Sequence, residues 1–176
     1  MSEFLLNNRL RRVVIGVDPA VTYHAESDET GIIVAAQGMD THFYVLDDLS
    51  GRYRPIEWAE KVAEAYHFYK ADRVIAEVNQ GGDLVETTIR MVDPSLSYKG
   101  VRATRGKMIR AEPIAALYEK GRVFHRQCFQ KLEDQMCRFT GEREEKSPDR
   151  LDALVWALTE LALSDAAPGR PKVWSL

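Results

Sequence analysis

The run Val13-Val14-Ile15-Gly16-Val17, closed by Asp18-Pro19, constrains the fold of this chain more than any other feature. Five apolar residues without polar alternation predict a strand buried on both faces, and the proline stops it. Such a strand needs other strands beside it and helices above and below it. Arg73-Val74-Ile75-Ala76, ending at Glu77, repeats the pattern. Between the two, Gly31 to Ala36 and His42 to Leu46 read as strands joined by a turn at Gly38-Met39-Asp40, which makes a hairpin. Lys99 to Ala103 is a fifth candidate strand.

Helical periods fill the remainder. Ile56, Ala59, Val62, Ala63 and Tyr66 recur at helical spacing over Pro55 to Tyr69, with Pro55 suited to the first turn. Asp83 to Val92 follows Gly81-Gly82. Glu112 to Lys120 ends at Gly121, a C-cap signal. Phe129 to Phe139 forms another helix. The last helix opens with Ser147 as N-cap and Pro148 at N1, and carries the stripe Leu151, Leu154, Val155, Leu158 and Leu161. A hairpin followed by alternating units predicts an α/β fold: a mixed sheet with helices on its faces.

The 176 residues suffice for one domain with a real core. Residues 12–164 are expected to form it. Residues 1–11 read as a linker or cloning remnant, and 165–176, with Pro168, Gly169 and Pro171, as a loosely ordered tail. No apolar stretch is long enough to span a membrane, and Met1 to Arg12 lacks a signal-peptide core. A cytoplasmic protein is therefore expected. The two cysteines, Cys128 and Cys137, fit no zinc motif and read as reduced thiols.

Charge is segregated. Between Lys99 and Lys131, nine Lys or Arg against two acids leave +7, so the rest of a chain of net −3 carries −10. This could give one basic face for phosphates beside acids that hold cations, or simply solvated helix faces.

Three acids stand out by their surroundings. Asp18 and Glu77 each end a buried run, and in open α/β sheets ligands gather beyond the carboxyl ends of strands. Asp152 lies among apolar residues of the last helix, with Asp149 three positions earlier on the same side. Carboxylates gathered by a fold repel, and are costly to bury unless something positive neutralises them. Mg²⁺ or Mn²⁺ does so with hard oxygen ligands. An ion pair of this kind, roughly 4 Å apart, can activate a water and stabilise the leaving oxygen of a phosphodiester. Asp149 also suits the positive end of the helix dipole without any further role. Asp28, Glu29, Glu133 and Asp134 read as solvated loop or helix acids. His24, His42, His67 and His125 are scattered, and there is no phosphate-binding G-x-x-x-x-G-K-[ST] loop. Gly81-Gly82 before a helix is a weak phosphate-cradle signal.

Taken together, several segments resemble the C-terminal nuclease domain of the large terminase subunit of tailed bacteriophages and gene transfer agents. They are Ile15-Gly16-Val17-Asp18-Pro19-Ala20, Asp28-Glu29-Thr30-Gly31, Ala76-Glu77-Val78-Asn79-Gln80-Gly81-Gly82, Arg105-Gly106-Lys107 with Arg110-Ala111-Glu112-Pro113, Leu132-Glu133-Asp134-Gln135-Met136, and Ser147 to Ala157. The resemblance runs from about Arg12 to Leu163. It implies an RNase H-like fold and a site for two Mg²⁺ or Mn²⁺ ions at Asp18, Glu77 and Asp152, with Asp149 as auxiliary ligand or as the residue that positions water. It implies cleavage of concatemeric double-stranded viral DNA during packaging, with Arg105, Lys107 and Arg110 on the DNA backbone. In the full-length family protein the partners are an N-terminal ATPase domain, the portal protein and the small terminase subunit, in the host cytoplasm. The stretch Thr140 to Lys146 is short, which implies an abbreviated DNA-contacting loop.

Three other readings remain open. A Holliday-junction resolvase of the same fold would use the same carboxylates, although the motifs around Glu77 and Lys107 favour the terminase. A non-catalytic module docking on a portal or small subunit would have no need of them. Actin-like sugar kinases also open with an apolar strand and an Asp, but need two such domains.

Overall fold

The computed structural model describes residues 10–20, 29–78, 82–139 and 148–164. The expectations for the tail, for the Ser147 cap, for Gly81 and Asp28, for His24 and for the Thr140 to Lys146 loop lie outside these residues.

Six strands form one sheet: β1 (Leu10–Asp18), β2 (Gly31–Gly38), β3 (Phe43–Asp48), β4 (Arg73–Glu77), β5 (Tyr98–Val101) and β6 (Val123–His125), in the order β5-β4-β1-β2-β3-β6. The pairs β1–β2 and β2–β3 are antiparallel; β1–β4, β4–β5 and β3–β6 are parallel. The early hairpin and the later crossovers thus build the mixed sheet expected from the element order. Leu10 and Arg11, which read as linker, already belong to β1.

Five helices are described: α1 (Pro55–Tyr69), α2 (Gly82–Val92), α3 (Lys107–Glu119), α4 (Gln130–Arg138) and α5 (Asp149–Ser164). Strand alternation divides the core in two. Val13, Ile15 and Val17 of β1 face one way with Ile32, Val34, Val74 and Ala76, and pack on Trp58, Ala59 and Val62 of α1 and Ile89 of α2. Val14, Ile33, Ala35 and Ile75 face the other way, onto Ile114 of α3, Leu132 of α4 and the Leu151, Leu154, Leu158 and Leu161 stripe of α5. Each central strand is apolar on both sides because both sides are covered, which accounts for the unbroken runs in the sequence.

Local chemistry sets the ends. Pro55 opens α1 behind Arg54, whose backbone N–H and Nε both donate to the Glu57 carboxylate at 2.8 Å, and Lys70, in the left-handed region at φ 50°, closes it. Pro148 sits one place earlier than expected: its carbonyl accepts the Asp152 amide at 2.9 Å, so it is the residue before the first turn of α5.

Two readings shift. The third helix begins at Lys107 rather than Glu112 and runs through Pro113. Pro113 lies on the exposed side, where the carbonyl its missing N–H leaves unpaired is not sealed from water. The edge strand β6 has only three residues, with Phe124 exposed, so no alternation was there to read.

Candidate active site

Asp18 is the last residue of β1 and Glu77 the last of β4. The two strands run parallel, and their register pairs Val17 with Ala76, so the acids emerge side by side one residue further on. Period-2 alternation puts Gly16 and Asp18 on the side of Val14, and Glu77 on the side of Ile75. That is the side covered by α5.

What brings α5 close enough is the absence of two side chains. A Cβ on Gly16 would lie 2.1 Å from the Ala153 carbonyl oxygen, and one on Gly31 would lie 2.0 Å from the Asp149 carbonyl oxygen. Gly31 is itself paired with Asp18 across β1 and β2. The helix backbone therefore rests directly on the strands, with its first turn beside Asp18. Asp149 and Asp152 project from that turn three residues apart, and with Glu77 they are buried, at 6%, 4% and 6% exposure.

The crowding of acids has an electrostatic signature. Burial, then the charges of Glu77, Asp152 and Asp149, hold the Asp18 carboxyl well above the usual carboxylate range. Burial also pushes Asp152 up, against the opposing pull of Lys107 and Arg110. Burial works against the Lys107 ammonium, but its hydrogen bond to Asp152 and the nearby acids outweigh it and raise its pKa.

Basic and polar groups close over the cluster. Lys107 Nζ donates to Asp152 Oδ2 at 2.5 Å. Arg110 spans two acids, donating to Glu77 Oε2 at 3.3 Å and to Asp152 Oδ1 at 3.4 Å. Its guanidinium lies 4.7 Å from the centroid of the Trp156 ring, and the Trp156 indole N–H donates to the same Glu77 Oε2 at 2.7 Å. Lys107 and Arg110 share a face of α3 because they are three residues apart.

The expected site residues thus separate into groups. Asp18, Glu77, Asp149 and Asp152 converge. Lys107 and Arg110 converge on them, rather than on open solvent. Arg105 is exposed in the turn before α3. The basic segment as a whole is not gathered on one face: Lys99 lies on β5 and pairs with Glu160, whereas Arg122 donates to the Thr41 carbonyl beside β6, at the opposite edge of the sheet.

Other titratable groups are engaged elsewhere. His42, His67 and His125 pair with Asp40, Asp93 and Glu133. Glu133 is therefore a partner of His125 rather than a solvated acid. Cys128 and Cys137 are free and exposed.

Trp156 and Arg150 do not stand out in the sequence. The Arg150 side chain, 4% exposed, donates to Asp48 at 2.6 Å, to Glu29 at 2.8 and 3.0 Å and to the Ser50 carbonyl at 3.1 Å. It ties the first turn of α5 to the end of β3 and to the residue preceding Thr30, so Glu29 is an anchor rather than a solvated loop acid. The available signal was an arginine between two acids at the head of an apolar helix. For Trp156 it was a polar-tipped aromatic four residues after Asp152, one turn along.

The donor set suits a hard divalent cation: four carboxylates, largely buried, whose crowding raises the pKa of Asp18 despite the pull of Lys107. As they stand, the side chains are arranged around Lys107 and Arg110. Among the described residues, no three His, Cys, Asp or Glu are grouped tightly enough to ligate an ion.

A mixed sheet of this order, with acids at the ends of two adjacent parallel strands and on the helix lying across them, defines an RNase H-like fold. The chain belongs to the terminase RNaseH-like domain family, whose model matches residues 15–161. The large terminase nuclease of thermophilic phage G20c is similar in structure, both with bound zinc (TM-score 0.64, 17% identity, covering 85% of this chain and 81% of that one) and with bound magnesium (0.62, 14%, 87% and 84%). T. thermophilus RuvC in complex with a Holliday junction substrate is also similar (0.56, 15%, 88% and 96%). At these identities the likeness is one of fold. A search of curated protein sequences found no match. No described helix is long and apolar enough to cross a membrane.

Proposed function

We propose that this chain is a divalent-metal-dependent DNA endonuclease that cuts concatemeric double-stranded DNA during viral genome packaging, with little sequence preference. The observation that carries the reading is the convergence of Asp18 and Glu77, at adjacent strand ends, with Asp149 and Asp152 on the helix seated against Gly16 and Gly31. Asp18, Glu77 and Asp152 would hold Mg²⁺ or Mn²⁺, and Asp149 would assist. When bound, two such ions supply an activated water and charge stabilisation for the departing oxygen. The chain's own residues do the rest. Trp156 and Arg110 orient the Glu77 carboxylate, Arg150 fixes the helix turn that presents Asp149 and Asp152, and Arg110 places positive charge where a phosphate would lie. Arg105 would contact the DNA backbone, which is alike at every sequence. An N-terminal ATPase domain, a portal protein and a small terminase subunit are the partners this role requires, in a host cytoplasm.

The likeness to RuvC supports a second reading, resolution of Holliday junctions by the same carboxylates. The family match favours the first.

Supercoiled plasmid, linear duplex and a four-way junction, each incubated with the chain and Mn²⁺, separate the readings. We expect nicking and cutting of plasmid and duplex at many positions, without ATP, and arrest by a chelator. D18N, E77Q and D152N should each lose nearly all activity while staying folded, and D149N should retain more. Cleavage confined to the junction would establish the second reading; full activity of D152N would remove the site from both.

A further inference from the structure

The first turn of α5, which carries Asp149 and Asp152, is capped from outside the helix. Pro148 precedes it and accepts the Asp152 amide through its carbonyl. A residue in that place ordinarily offers a side-chain oxygen to the second or third N–H of the helix. Proline has none, and the Arg150 and Leu151 N–H groups come too early in the helix to reach an intrahelical carbonyl. Both donate instead to the side-chain oxygen of Gln135, at 3.1 and 3.2 Å. Two main-chain donors fix which end of that amide faces them, because only its oxygen accepts.

Gln135 lies on α4, and α4 is itself anchored. Leu132 is fully buried in the core, and Glu133 accepts the Phe129 N–H at 3.0 Å and pairs with His125 of β6 at 2.9 Å. Apolar packing alone does not fix α4 against α5. A cavity of about 470 Å³ opens beside Met136 and Phe139 of α4 and Leu151 and Leu154 of α5. The two bonds to Gln135 thus hold the first turn of α5 from one side, while Arg150 ties it to Asp48 and its backbone rests on Gly31.

We infer that Gln135 is a positioning residue for the metal site: it supplies the cap that Pro148 cannot, and so fixes the aim of Asp149 and Asp152, the two acids that flank the capped residues. The inference rests on the metal-nuclease reading and adds to it a residue that acts only through the helix. Without the cap, the Arg150 and Leu151 N–H groups lose their acceptor, and the first turn of α5 can fray or tilt into the space beside Met136. Either motion spreads the acids that a cation must bridge. Partners that orient metal ligands typically change affinity or activity about 10- to 100-fold.

The test is Mn²⁺ uptake by the intact chain without DNA, read from the free-Mn²⁺ resonance signal, with hydrogen exchange at the Arg150 and Leu151 amides followed in parallel. Q135L keeps an apolar side chain of similar size and loses the acceptor. Its two amides should exchange faster than the parent's, and its Mn²⁺ affinity should fall at least about tenfold, the lower end of that range. Q135E restores an acceptor for both N–H groups and places a negative charge where a helix N-terminus favours one, so it should recover both the protection and the affinity. M136A separates positioning from stability: it enlarges the cavity but removes no cap, so it should lower the melting temperature and bind Mn²⁺ as the parent does. Parental Mn²⁺ affinity in Q135L, no recovery in Q135E, or an equal loss of affinity in M136A overturns the inference and leaves the nuclease reading standing. No Mn²⁺ uptake by the parent overturns both.

Discussion

The Cβ that Gly16 lacks would lie 2.1 Å from the carbonyl oxygen of Ala153, so β1 and α5 touch backbone to backbone one turn from the acidic cluster. The clashing atom is main chain, not the movable tip of a side chain. The Ala157 Cβ and amide nitrogen, both 3.0 Å away, close the other exit. Relief would require the helix to move outward, carrying Asp149 and Asp152 from Asp18 and Glu77. G16A is therefore expected to destabilise the fold by about 1–3 kcal/mol, as overpacked cores do. It should also reduce Mn²⁺ affinity in the molecules that remain folded. Denaturant unfolding with and without Mn²⁺ measures both effects, and a fully stable G16A protein that binds metal as the parent does would contradict this packing.

Asp18 gives a dependence on pH. Its folded-state pKa is raised by burial and by neighbouring acids, so between the ordinary value of 3.8 and that raised value the folded chain binds more protons than the unfolded one. The stability contributed by this group is present below that window and is lost as pH rises through it. In metal-free buffer, D18N removes the loss. The variant should match the parent below pH 3.8, where Asp18 is protonated in both states of the parent, and exceed it at neutral pH. Mn²⁺ should erase or reverse the difference, because only the parent has the full ligand set. Parallel stability curves for the two proteins from acid to neutral pH would remove the repulsion argument.

Trp156 separates the role of a ring from that of an N–H. W156F keeps a face for Arg110 to stack on and loses the 2.7 Å hydrogen bond to Glu77. Hydrogen bonds to a charged group are worth about 1.5–3 kcal/mol, and partners that orient metal ligands typically change affinity or activity about 10- to 100-fold. The Mn²⁺ concentration giving half-maximal cleavage should therefore rise at least about tenfold in W156F, at the lower end of that range. An unchanged metal dependence would assign Trp156 to packing alone.

The parts of the site that could be read from the sequence, and the parts that could not, differ in physical kind. Asp18 and Glu77 are legible because each ends a strand whose burial is written in consecutive apolar residues. Asp152 is legible because an acid inside an apolar stripe must be neutralised by something. The inward turn of Lys107 and Arg110 depends on where α3 begins, five residues before the expected start at Glu112. The indole of Trp156 meets a carboxylate 79 positions away in the chain, a contact made by sheet register and helix seating together. Arg150 bonds to Asp48 over 102 positions for the same reason. The three-residue edge strand β6 has no period to detect. It forms because β3 offers a free edge, not because Val123 to His125 demand to be a strand.

Arg105, Lys107 and Arg110 fall within one basic motif, and the fold gives them different work. The Arg110 side chain lies between Glu77 and Asp152, so R110A takes one cationic partner from each of two buried carboxylates and should cost stability, about 3–5 kcal/mol, although Glu77 keeps the Trp156 N–H and Asp152 keeps Lys107. Lys107 is partly exposed and bound to Asp152, so its removal should act first on metal binding. Arg105 is exposed in the turn ahead of α3 and should act on neither. Its contribution should be to the DNA backbone. In R105A, melting temperature and Mn²⁺ affinity should match the parent, while affinity for a duplex falls about equally for unrelated sequences. The slope of log affinity against log salt should become shallower by about 1, the loss of a single phosphate contact. Titrating a fluorescent duplex at several salt concentrations reads the slope directly. An unaltered slope in R105A would return that residue to the ordinary surface. A steeper loss for one sequence than for another would replace backbone contact with base readout, and with it the expectation that the proposed nuclease cuts without preference.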